Sequence, residues 1–451
     1  MKWAIFAIGV MGMLPLIQVL RRRGTEQAWV WMLFGFFPFL MTAVPNLNLS
    51  AISWPIWPGQ VKGLQITAFD LYAIALYIAL PKRSEKPPFR FAMALYFLAV
   101  VLSAFFAPVP WATVFYAWQL LRAYLIYAVI IKSGTDERIV WWIMKGLGAG
   151  LWLEACMAIW ERFGQGIIQV GGTLGHQNLL GVMSHMIVLP FFALVLARKR
   201  GWFAALTPLV GGTIWVLTAS RATLGFGAMG LLAVFTASAL RKWTGRKAII
   251  LVAGLAALGI FVPMAMSSLE ARFAANPLQE GLDERTVLEQ AAGLMLSEHP
   301  MGIGANNFTV VANTEGYYDR VPLSWMSRIA IVHNLYWMTA AETGYFGIFA
   351  LAVLLIQLLV VALRCGWRHR RDLRGELLLG FGIALLVVYV HSWYEWIFVF
   401  LQVQYLFAII VGMVGGLAMQ LGYWRQPYAR GLRTNKAGLD KAQLGQPVGR
   451  V

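Results

Sequence analysis

The chain has 451 residues, of which 59% are hydrophobic and 13% are charged, and its formal net charge is +17 at pH 7. Soluble domains carry about 25% charged residues, so this composition excludes an ordinary soluble protein. The positive charge does not indicate nucleic-acid binding, because 27 of the 37 Lys and Arg residues lie either in alternate short connectors between apolar runs (21 residues) or in the C-terminal tail (6 residues). That distribution is the positive-inside pattern, which indicates membrane topology and contact with anionic membrane lipids.

Apolar runs recur along the whole chain, and most are about long enough to cross a ~30 Å hydrocarbon layer. They are continuously apolar, whereas a transmembrane β-barrel alternates apolar and polar residues. We therefore expect an all-α fold, a polytopic transmembrane helical bundle with thirteen spans, or twelve if 28–43 is re-entrant. The apolar runs are 3–20, 28–43, 64–80, 91–107, 113–131, 139–160, 179–197, 203–219, 222–240, 248–266, 333–363, 377–393 and 399–420.

The charge rule places the basic connectors and the C-terminus inside the cell, and with thirteen spans the N-terminus outside. The outside connectors are then 44–63, which reads as irregular, 108–112, 161–178, 220–221, 267–332 and 394–398. The chain divides into N-terminal transmembrane helices (1–266), a large periplasmic loop (267–332), C-terminal transmembrane helices (333–424) and a basic tail (425–451). The tail lacks hydrophobic periodicity, so we expect it to be disordered.

The loop 267–332 is the only segment large enough to form a structured aqueous face. It holds eight of the chain's twenty acidic residues but only four of its Lys and Arg residues, which agrees with an outer location. Residues 283–296 have helical apolar spacing, with acidic residues at the start, and predict a helix that lies flat on the outer membrane face. The Pro- and Gly-containing segment 300–304 then ends this helix in a turn.

His333 stands where this loop meets the next apolar run. A histidine at such a junction is suited to accept a proton from a sugar hydroxyl. The alternative is a histidine that anchors the helix end by hydrogen bonding. Asn334 follows it, either to orient the ring or to cap the helix.

Three arginines are candidates for holding an anionic substrate. Arg221 lies between two apolar runs with almost no loop, where a cation usually faces a cavity or an anion, and its guanidinium suits diphosphate oxygens. Arg285 lies on the predicted loop helix, where contact with a lipid headgroup is the alternative. Arg122 lies within an apolar run, where it either binds substrate or pairs with a buried acid such as Asp70 or Glu154.

The segment 171–178, Gly-Gly-Thr-Leu-Gly-His-Gln-Asn, precedes another apolar run on the outer side. Its glycines are suited to bring backbone donors to a ligand at a helix N-terminus, while the alternative is a turn with Asn178 as the helix cap. His176 is a second, weaker base candidate. No metal-like spacing of His and acidic residues occurs on the outer side, so we expect neither a metal nor another cofactor.

The motif that begins at His333 resembles a known one. His333-Asn334, nine residues, Gly344, two residues and Gly347 are similar to the motif of O-antigen ligases. Glu284-Arg285 and the turn 300–304 resemble the Arg-led helix and the Pro-x-Gly-x-Gly turn of the same superfamily. This superfamily also contains O-antigen polymerases and bacterial protein O-oligosaccharyltransferases.

Two further stretches, 175–178 and Ser220-Arg221, are similar to recurring features of that superfamily. One departure concerns the loop helix, where two residues separate Arg285 from Leu288 although the ligase pattern has three. Arg272 and Arg320 are therefore alternatives for the arginine of that motif.

The resemblance implies a metal-independent, inverting glycosyl transfer at the periplasmic face of a Gram-negative inner membrane. The implied donor is O-antigen on undecaprenyl diphosphate, and the implied acceptor is the core sugar of lipid A–core, with no obligate protein partner. His333 would be the general base, and Arg285 and Arg221 would hold the diphosphate. The further substrate-binding residues predicted on this basis are Asn334, His176, Asn178, Arg122 and Arg320.

Three other functions stay open at this stage. An O-antigen polymerase uses a similar donor with a lipid-linked glycan as acceptor, and a protein O-oligosaccharyltransferase uses a Ser or Thr of a protein. A transporter of lipid-linked sugar belongs to another class, and it typically has paired repeats and a midplane site. No such repeats are visible in this sequence, which disfavours the transporter.

Overall fold

The structure, a computed structural model, describes residues 2–44, 47–82, 85–134, 136–197, 201–275 and 281–424. This part of the chain forms fifteen α-helices and one two-stranded sheet. The predicted disorder of 425–451 concerns residues outside the described ones. The helices are α1 Lys2–Arg23, α2 Ala28–Ala43, α3 Ala68–Ala79, α4 Arg90–Ser103, α5 Pro110–Ser133, α6 Glu137–Ile159, α7 Gln177–Leu196, α8 Gly201–Leu217, α9 Arg221–Arg241, α10 Gly245–Ala275, α11 Gly281–Glu298, α12 Phe308–Thr314, α13 Leu335–Arg368, α14 Leu373–His391 and α15 Leu401–Gln420.

The helical bundle expected from the apolar runs is confirmed. Among the described residues, eight helices are long and apolar enough to cross a membrane, namely α5, α6, α7, α9, α10, α13, α14 and α15. In α10 no residue of the most apolar 18-residue window is buried within the protein. A helix that is apolar all round and exposed needs a non-aqueous surrounding, as a membrane provides. The chain is therefore a multi-pass membrane protein, and the number of spans stays a prediction.

Basic connectors that the sequence placed on one side meet at one end of the bundle. Arg21, at the end of α1, donates to the carbonyl of Ile78 over 3.3 Å. Lys132, at the end of α5, donates to the carbonyl of Tyr77 over 2.5 Å. The ends of α1 and α5 thus both contact the end of α3, so these three helix ends lie at the same level of the bundle. The alternation of basic and non-basic connectors predicts this arrangement. The side of the membrane on which they lie stays a prediction.

Connectors predicted to lie outside meet at the opposite end. Asn306 of the large loop hydrogen bonds to both backbone groups of Val61, with distances of 3.1 and 2.7 Å, and to the carbonyl of Ala112 over 3.1 Å. Asn306 adopts a left-handed backbone with φ of 64° and is buried, so its amide can satisfy these backbone groups where water is excluded. This side chain holds the loop against two other outer connectors.

The segment between α2 and α3 departs from the all-α expectation. Residues Asn48–Ser53 (β1) and Gly63–Thr67 (β2) pair antiparallel, with a register irregularity between Ser50 and Ile52. The irregular structure expected for 44–63 is therefore wrong for β1. Residues 48–51 alternate polar and apolar, which suits the two-residue side-chain period of a strand.

The large loop has a hydrophobic core of its own. The apolar face of α11 buries Leu288, Ala291 and Met295 against Phe308 and Tyr317, and the first turns of α13 complete the cluster. The predicted helix at 283–296 therefore forms, but its expected position flat on the membrane is wrong for this apolar face. Aromatic residues later in the loop cover the face, which is consistent with the tendency of apolar surface to be removed from water.

Helix α13 is broken where the motif glycine occurs. With 34 residues it would be about 50 Å long if straight, well beyond a ~30 Å hydrocarbon layer. Gly344 has φ of 68° and ψ of −170°, a conformation that essentially only glycine adopts. The run 333–363 has a kink that separates the loop-bound residues 335–343 from the rest, and its expected tilt or extension beyond the membrane stays a prediction.

The turn 300–304 is hydrogen bonded into this kink. Its Ile303 and Gly304 amides donate to the carbonyls of Ala341 and Glu342 over 3.1 and 2.8 Å, and the Tyr345 amide donates to the carbonyl of Pro300 over 3.0 Å. These three backbone bonds explain why the Pro-x-Gly-x-Gly segment and the glycine of the His motif belong together. The turn 300–304 and the backbone around Gly344 must lie close together for these bonds to form.

We expect Gly344→Ala to lower the melting temperature of the detergent-solubilised protein. An added Cβ would lie 2.4 Å from the Pro300 carbonyl oxygen, and the backbone strain alone costs about 1–3 kcal/mol. Gly293→Ala in α11 is the matched control, because there the new Cβ meets only Trp337 at an ordinary 3.8 Å. Equal melting temperatures for the two variants would contradict this account of the kink.

Candidate functional site

A buried carboxylate, Glu395, joins the polar side chains at the outer-connector end of the bundle. It lies between α14 and α15 and is 4% exposed. Asn178 donates a short hydrogen bond to Oε1, and Nη2 of Arg285 lies 3.2 Å from the same oxygen. Nδ1 of His333 lies 3.7 Å from Oε2. Three residues predicted from separate stretches of sequence therefore converge on one carboxylate. We refer to Glu395, Asn178, Arg285 and His333 as the Glu395 cluster.

The side chain of Asn178 is held at both ends of its amide. Its Oδ1 accepts a 2.8 Å hydrogen bond from the hydroxyl of Ser220, and its Nδ2 donates to Glu395. Ser220 is the N-cap of α9, where its hydroxyl also accepts from the amide of Thr223 over 3.3 Å. Asn178 lies inside α7 rather than at its cap, so the capping alternative does not apply. This chain of bonds ties the starts of α7 and α9 to the α14–α15 connector.

Arg221 follows directly on Ser220 and is the first residue of α9. Its side chain is exposed, and the preceding residue belongs to the hydrogen-bond chain that leads to Glu395. Arg221 is therefore the neighbour of a residue that bonds to the Glu395 cluster, and it lies at the same end of the bundle. Arg285, on α11, is partly exposed, with 34% of its side-chain surface accessible. Both arginines are accessible to an anion.

His333 lies in the non-helical residues just before α13, with 26% of its side chain exposed. Its Nδ1 accepts a 3.0 Å hydrogen bond from the indole N–H of Trp396, the residue after Glu395. The two rings meet edge to face with centroids 5.7 Å apart. The position of the imidazole is therefore set by the α14–α15 connector, which the sequence analysis did not single out.

His176 faces the same cluster from the N-cap position of α7. Burial lowers its pKa below the ordinary value of 6.5, and the charge of Arg285 acts in the same direction, while Glu395 opposes the shift. Its Nδ1 is buried and has no hydrogen-bond partner among the described residues. His176 is thus a part-exposed histidine whose Nδ1 is buried without a partner among the described residues.

Asn334 is a helix cap in this structure. Its Oδ1 accepts from the amides of Tyr336 and Trp337 over 3.0 and 3.3 Å, and its Nδ2 donates to Glu289 over 2.9 Å. The side chain is buried, and both ends of the amide are engaged, so it does not present a group to a substrate. Of the two roles considered from sequence, capping is the one that the geometry shows.

Arg122 and Arg320, both predicted to bind substrate, lie apart from the Glu395 cluster. Arg122 is buried and bonds to Asp70 over 2.8 Å and to the hydroxyl of Tyr405 over 2.6 Å, as the alternative of a buried ion pair proposed. Arg320 pairs with Glu298 in the loop, and this bond lowers the pKa of that carboxyl. The side chain of Arg272 lies outside the part of the structure that is described.

The backbone donors expected to serve a ligand at 171–173 are already used. The amides of Gly171 and Gly172 donate to the carboxylate of Glu161 over 2.9 and 2.8 Å. The amide of Thr173 donates to Glu154 over 2.9 Å. This segment is folded around the carboxylate of Glu154 in α6 and that of Glu161 just after α6, and it positions His176 and Asn178 at the start of α7.

Glu395 is the residue that sequence reasoning missed. A signal was present, because it is the only Asp, Glu, Lys or Arg residue between positions 377 and 420. An ionisable residue within such an apolar stretch is by itself a functional-site hypothesis. Only the fold shows its partners, because Asn178 and Arg285 lie 217 and 110 residues earlier in the chain.

No protein-family model and no curated protein sequence matches this chain. Within the described residues, no group of three or more His, Cys, Asp or Glu side chains has an arrangement that could hold a metal ion. The side chains at this end of the bundle provide a part-exposed imidazole, two accessible guanidinium groups and a buried carboxylate. These groups can transfer a proton and hold an anion.

We expect Asn334→Asp to destabilise the protein although aspartate is itself a good helix cap. The new carboxylate would face Glu289 in place of the amide donor, at a cost of about 1–3 kcal/mol. Adding Glu289→Gln should restore the melting temperature, because a glutamine amide can donate to the introduced carboxylate. A double-mutant cycle on thermal melts measures this coupling, and strict additivity of the two changes would contradict it.

We also expect His176 to contribute to acid sensitivity. Because its pKa is lowered in the folded protein, protonation below its ordinary value of 6.5 favours the unfolded chain. Stability is therefore lost as the pH falls below about 6.5 towards the lowered pKa. His176→Gln should lessen the fall in melting temperature between about pH 7.5 and 5.5. His299→Gln, an exposed loop variant, leaves His176 in place and should retain the full fall.

Proposed function

We propose that this protein is a glycosyltransferase of the O-antigen ligase type, which moves a glycan from a lipid diphosphate to an acceptor hydroxyl. The observation that carries the proposal is the convergence of His333 and Arg285 on Glu395, with Arg221 at the same end of a membrane bundle. A lipid-linked donor and a lipid-anchored acceptor both reach such a site from the bilayer. The proposed location is the periplasmic face of the inner membrane.

The diphosphate would be held by the two accessible arginines. Arg285 and Arg221 each offer a guanidinium whose paired N–H groups match phosphate oxygens. Diphosphate departs with additional negative charge, and fixed cations stabilise that charge most where water is partly excluded. The two guanidinium groups would supply the electrostatic part of the catalysis.

His333 would act on the acceptor. One imidazole nitrogen takes the proton of the acceptor hydroxyl while the hydroxyl oxygen attacks the anomeric carbon of the donor sugar. The bond between that carbon and the diphosphate oxygen breaks, and its electron pair leaves with the lipid diphosphate. Attack from the face opposite the leaving group inverts the anomeric centre. The imidazolium then returns its proton to solvent or to the departing diphosphate.

The glycine motif supports the proposal through geometry. The turn 300–304 ends α11, which carries Arg285, and it is hydrogen bonded into the Gly344 kink of α13, which follows His333. These backbone bonds thus fix the position of α11, which would carry the donor-binding Arg285, relative to the start of α13, which follows the proposed base. The spacing between His333 and Gly344 therefore sets the distance along α13 from the proposed base to the kink that binds the turn 300–304.

The acceptor distinguishes the ligase from its nearest rivals. An O-antigen polymerase would use the same groups to extend a second lipid-linked glycan, and a protein O-oligosaccharyltransferase would glycosylate a serine or threonine. We favour lipid A–core as acceptor because the His333-Asn334-x9-Gly motif resembles that of the ligases. A lipid-linked sugar transporter, the rival of another class, would form no glycosidic bond.

The decisive assay supplies the purified protein with an undecaprenyl-diphosphate-linked glycan and lipid A–core in the presence of a chelator. His333→Ala should lower turnover by about 10²–10⁴-fold, the usual contribution of a general base. Arg285→Ala and Arg221→Ala should weaken donor use. Arg320→Ala is the matched control, because this arginine of the same loop pairs with Glu298 away from the Glu395 cluster, and it should retain turnover.

The products separate the alternatives. Glycan-capped lipid A–core from the wild type supports the ligase, whereas longer glycans on the lipid carrier support the polymerase. Glycosylated peptide supports the protein transferase. Wild-type turnover in His333→Ala would contradict the proposed mechanism, whatever the acceptor.

A further inference from the structure

The hydrogen bond from Trp396 to His333 has a consequence for the protonation of the imidazole. An indole N–H only donates, so Nδ1 of His333 is the acceptor in the 3.0 Å bond. A neutral ring in this arrangement therefore carries its proton on Nε2. A general base needs the opposite tautomer, with the proton on Nδ1 and a lone pair on Nε2.

Glu395 is placed to stabilise that opposite tautomer. Its Oε2 lies 3.7 Å from Nδ1 of His333, less than about 1 Å beyond an ordinary N–H···O hydrogen bond. A carboxylate that accepts from Nδ1–H leaves Nε2 free to take a proton and stabilises the imidazolium that results. Trp396 and Glu395 thus compete for the same ring nitrogen, and they favour different tautomers.

The present partners of Glu395 keep it from the ring. Its other oxygen, Oε1, is bound by Asn178 and by Arg285, and Arg285 is one of the two arginines proposed to hold the donor diphosphate. The Glu395 side chain is 5% exposed. A buried carboxylate that loses its cation is strongly unfavourable, so departure of Arg285 increases the tendency of Glu395 to accept from His333.

We propose that Glu395 is a positioning residue that couples occupation of the diphosphate site to the base-competent tautomer of His333. This inference rests on the proposed function. The diphosphate draws Arg285 from Oε1, Oε2 accepts from Nδ1–H of His333, and the bond from Trp396 is given up. The part-exposed ring loses its Nε2 proton to solvent as Nδ1 gains one, so the net charge is unchanged. Nε2 then takes the acceptor's proton.

The first test follows the tautomer directly, without requiring transfer. Nitrogen-15 NMR of imidazole-labelled full-length protein is recorded before and after addition of inorganic diphosphate, with His333→Gln to identify the signals. Diphosphate should move the His333 proton from Nε2 to Nδ1 in the wild type but not in Glu395→Gln. An unchanged His333 tautomer in the wild type at a saturating diphosphate concentration, checked by direct binding, would overturn the coupling.

The second test separates donor affinity from turnover. Glu395→Gln cannot form the ion pair with Arg285, so KM for the lipid-diphosphate donor should stay equal or fall, while kcat falls about 10²-fold or more. Trp396→Phe keeps an aromatic ring but removes the competing N–H, and kcat should rise by about three- to tenfold, the worth of one neutral hydrogen bond. A residue that merely supports the fold would lower turnover in both variants.

These outcomes distinguish the inference from the proposed function. Absence of transfer by the wild type with every acceptor would overturn the glycosyltransferase, while the NMR experiment would still report on the coupling. Normal transfer with wild-type kcat in Glu395→Gln would overturn the coupling and leave the glycosyltransferase intact. If Glu395→Gln does not fold, the diphosphate titration of the wild type and the kcat of Trp396→Phe still decide the question.

Discussion

The burial of Glu395 is the constraint on which the arrangement of this end of the bundle, where the Glu395 cluster lies, depends. A carboxylate removed from water is tolerated only when hydrogen-bond donors and a cation compensate its charge. Here the compensation comes from two separate parts of the chain, through Asn178 and Arg285, and the ring of His333 lies nearby. Asn178 lies in the first turn of α7, Arg285 lies near the start of α11, and His333 lies just before α13. One charge therefore determines where several helices start relative to one another. A site assembled in this way depends on that whole end of the bundle being folded.

A second constraint sets the position of the loop on the bundle. The kink at Gly344 opens backbone groups of α13, and the turn 300–304 satisfies them with three hydrogen bonds. On the other side of the turn, Asn306 binds the backbone of Val61 and Ala112. The loop is therefore attached through its backbone at a short central segment, and its own hydrophobic cluster covers the apolar face of α11. The described part of the loop is therefore a packed part of the fold and not an irregular surface loop.

The arginines show how environment decides the role of one residue type. Arg122, buried beside Asp70 and Tyr405, belongs to a structural ion pair. Arg320 is bound to Glu298 in the loop. Arg285 also has a carboxylate partner, but this partner is shared with Asn178 and stands beside a histidine. Under the proposed function this ion pair is exchanged for the diphosphate, and the released carboxylate accepts from the Nδ1–H tautomer of His333.

The sequence by itself determined the features that depend on local composition. These are the helical membrane bundle, its alternating connectors, the large loop, and the candidacy of His333, Arg285 and Asn178, because apolar run length, charge position and residue chemistry are local properties. Tertiary structure alone decided which candidates meet. It separated Arg122 from the Glu395 cluster, assigned Asn334 to a helix cap, and placed a carboxylate at the centre of that cluster. The reason is that the partners of a buried charge depend on how distant segments of the chain pack together. A local sequence pattern contains no information about that packing.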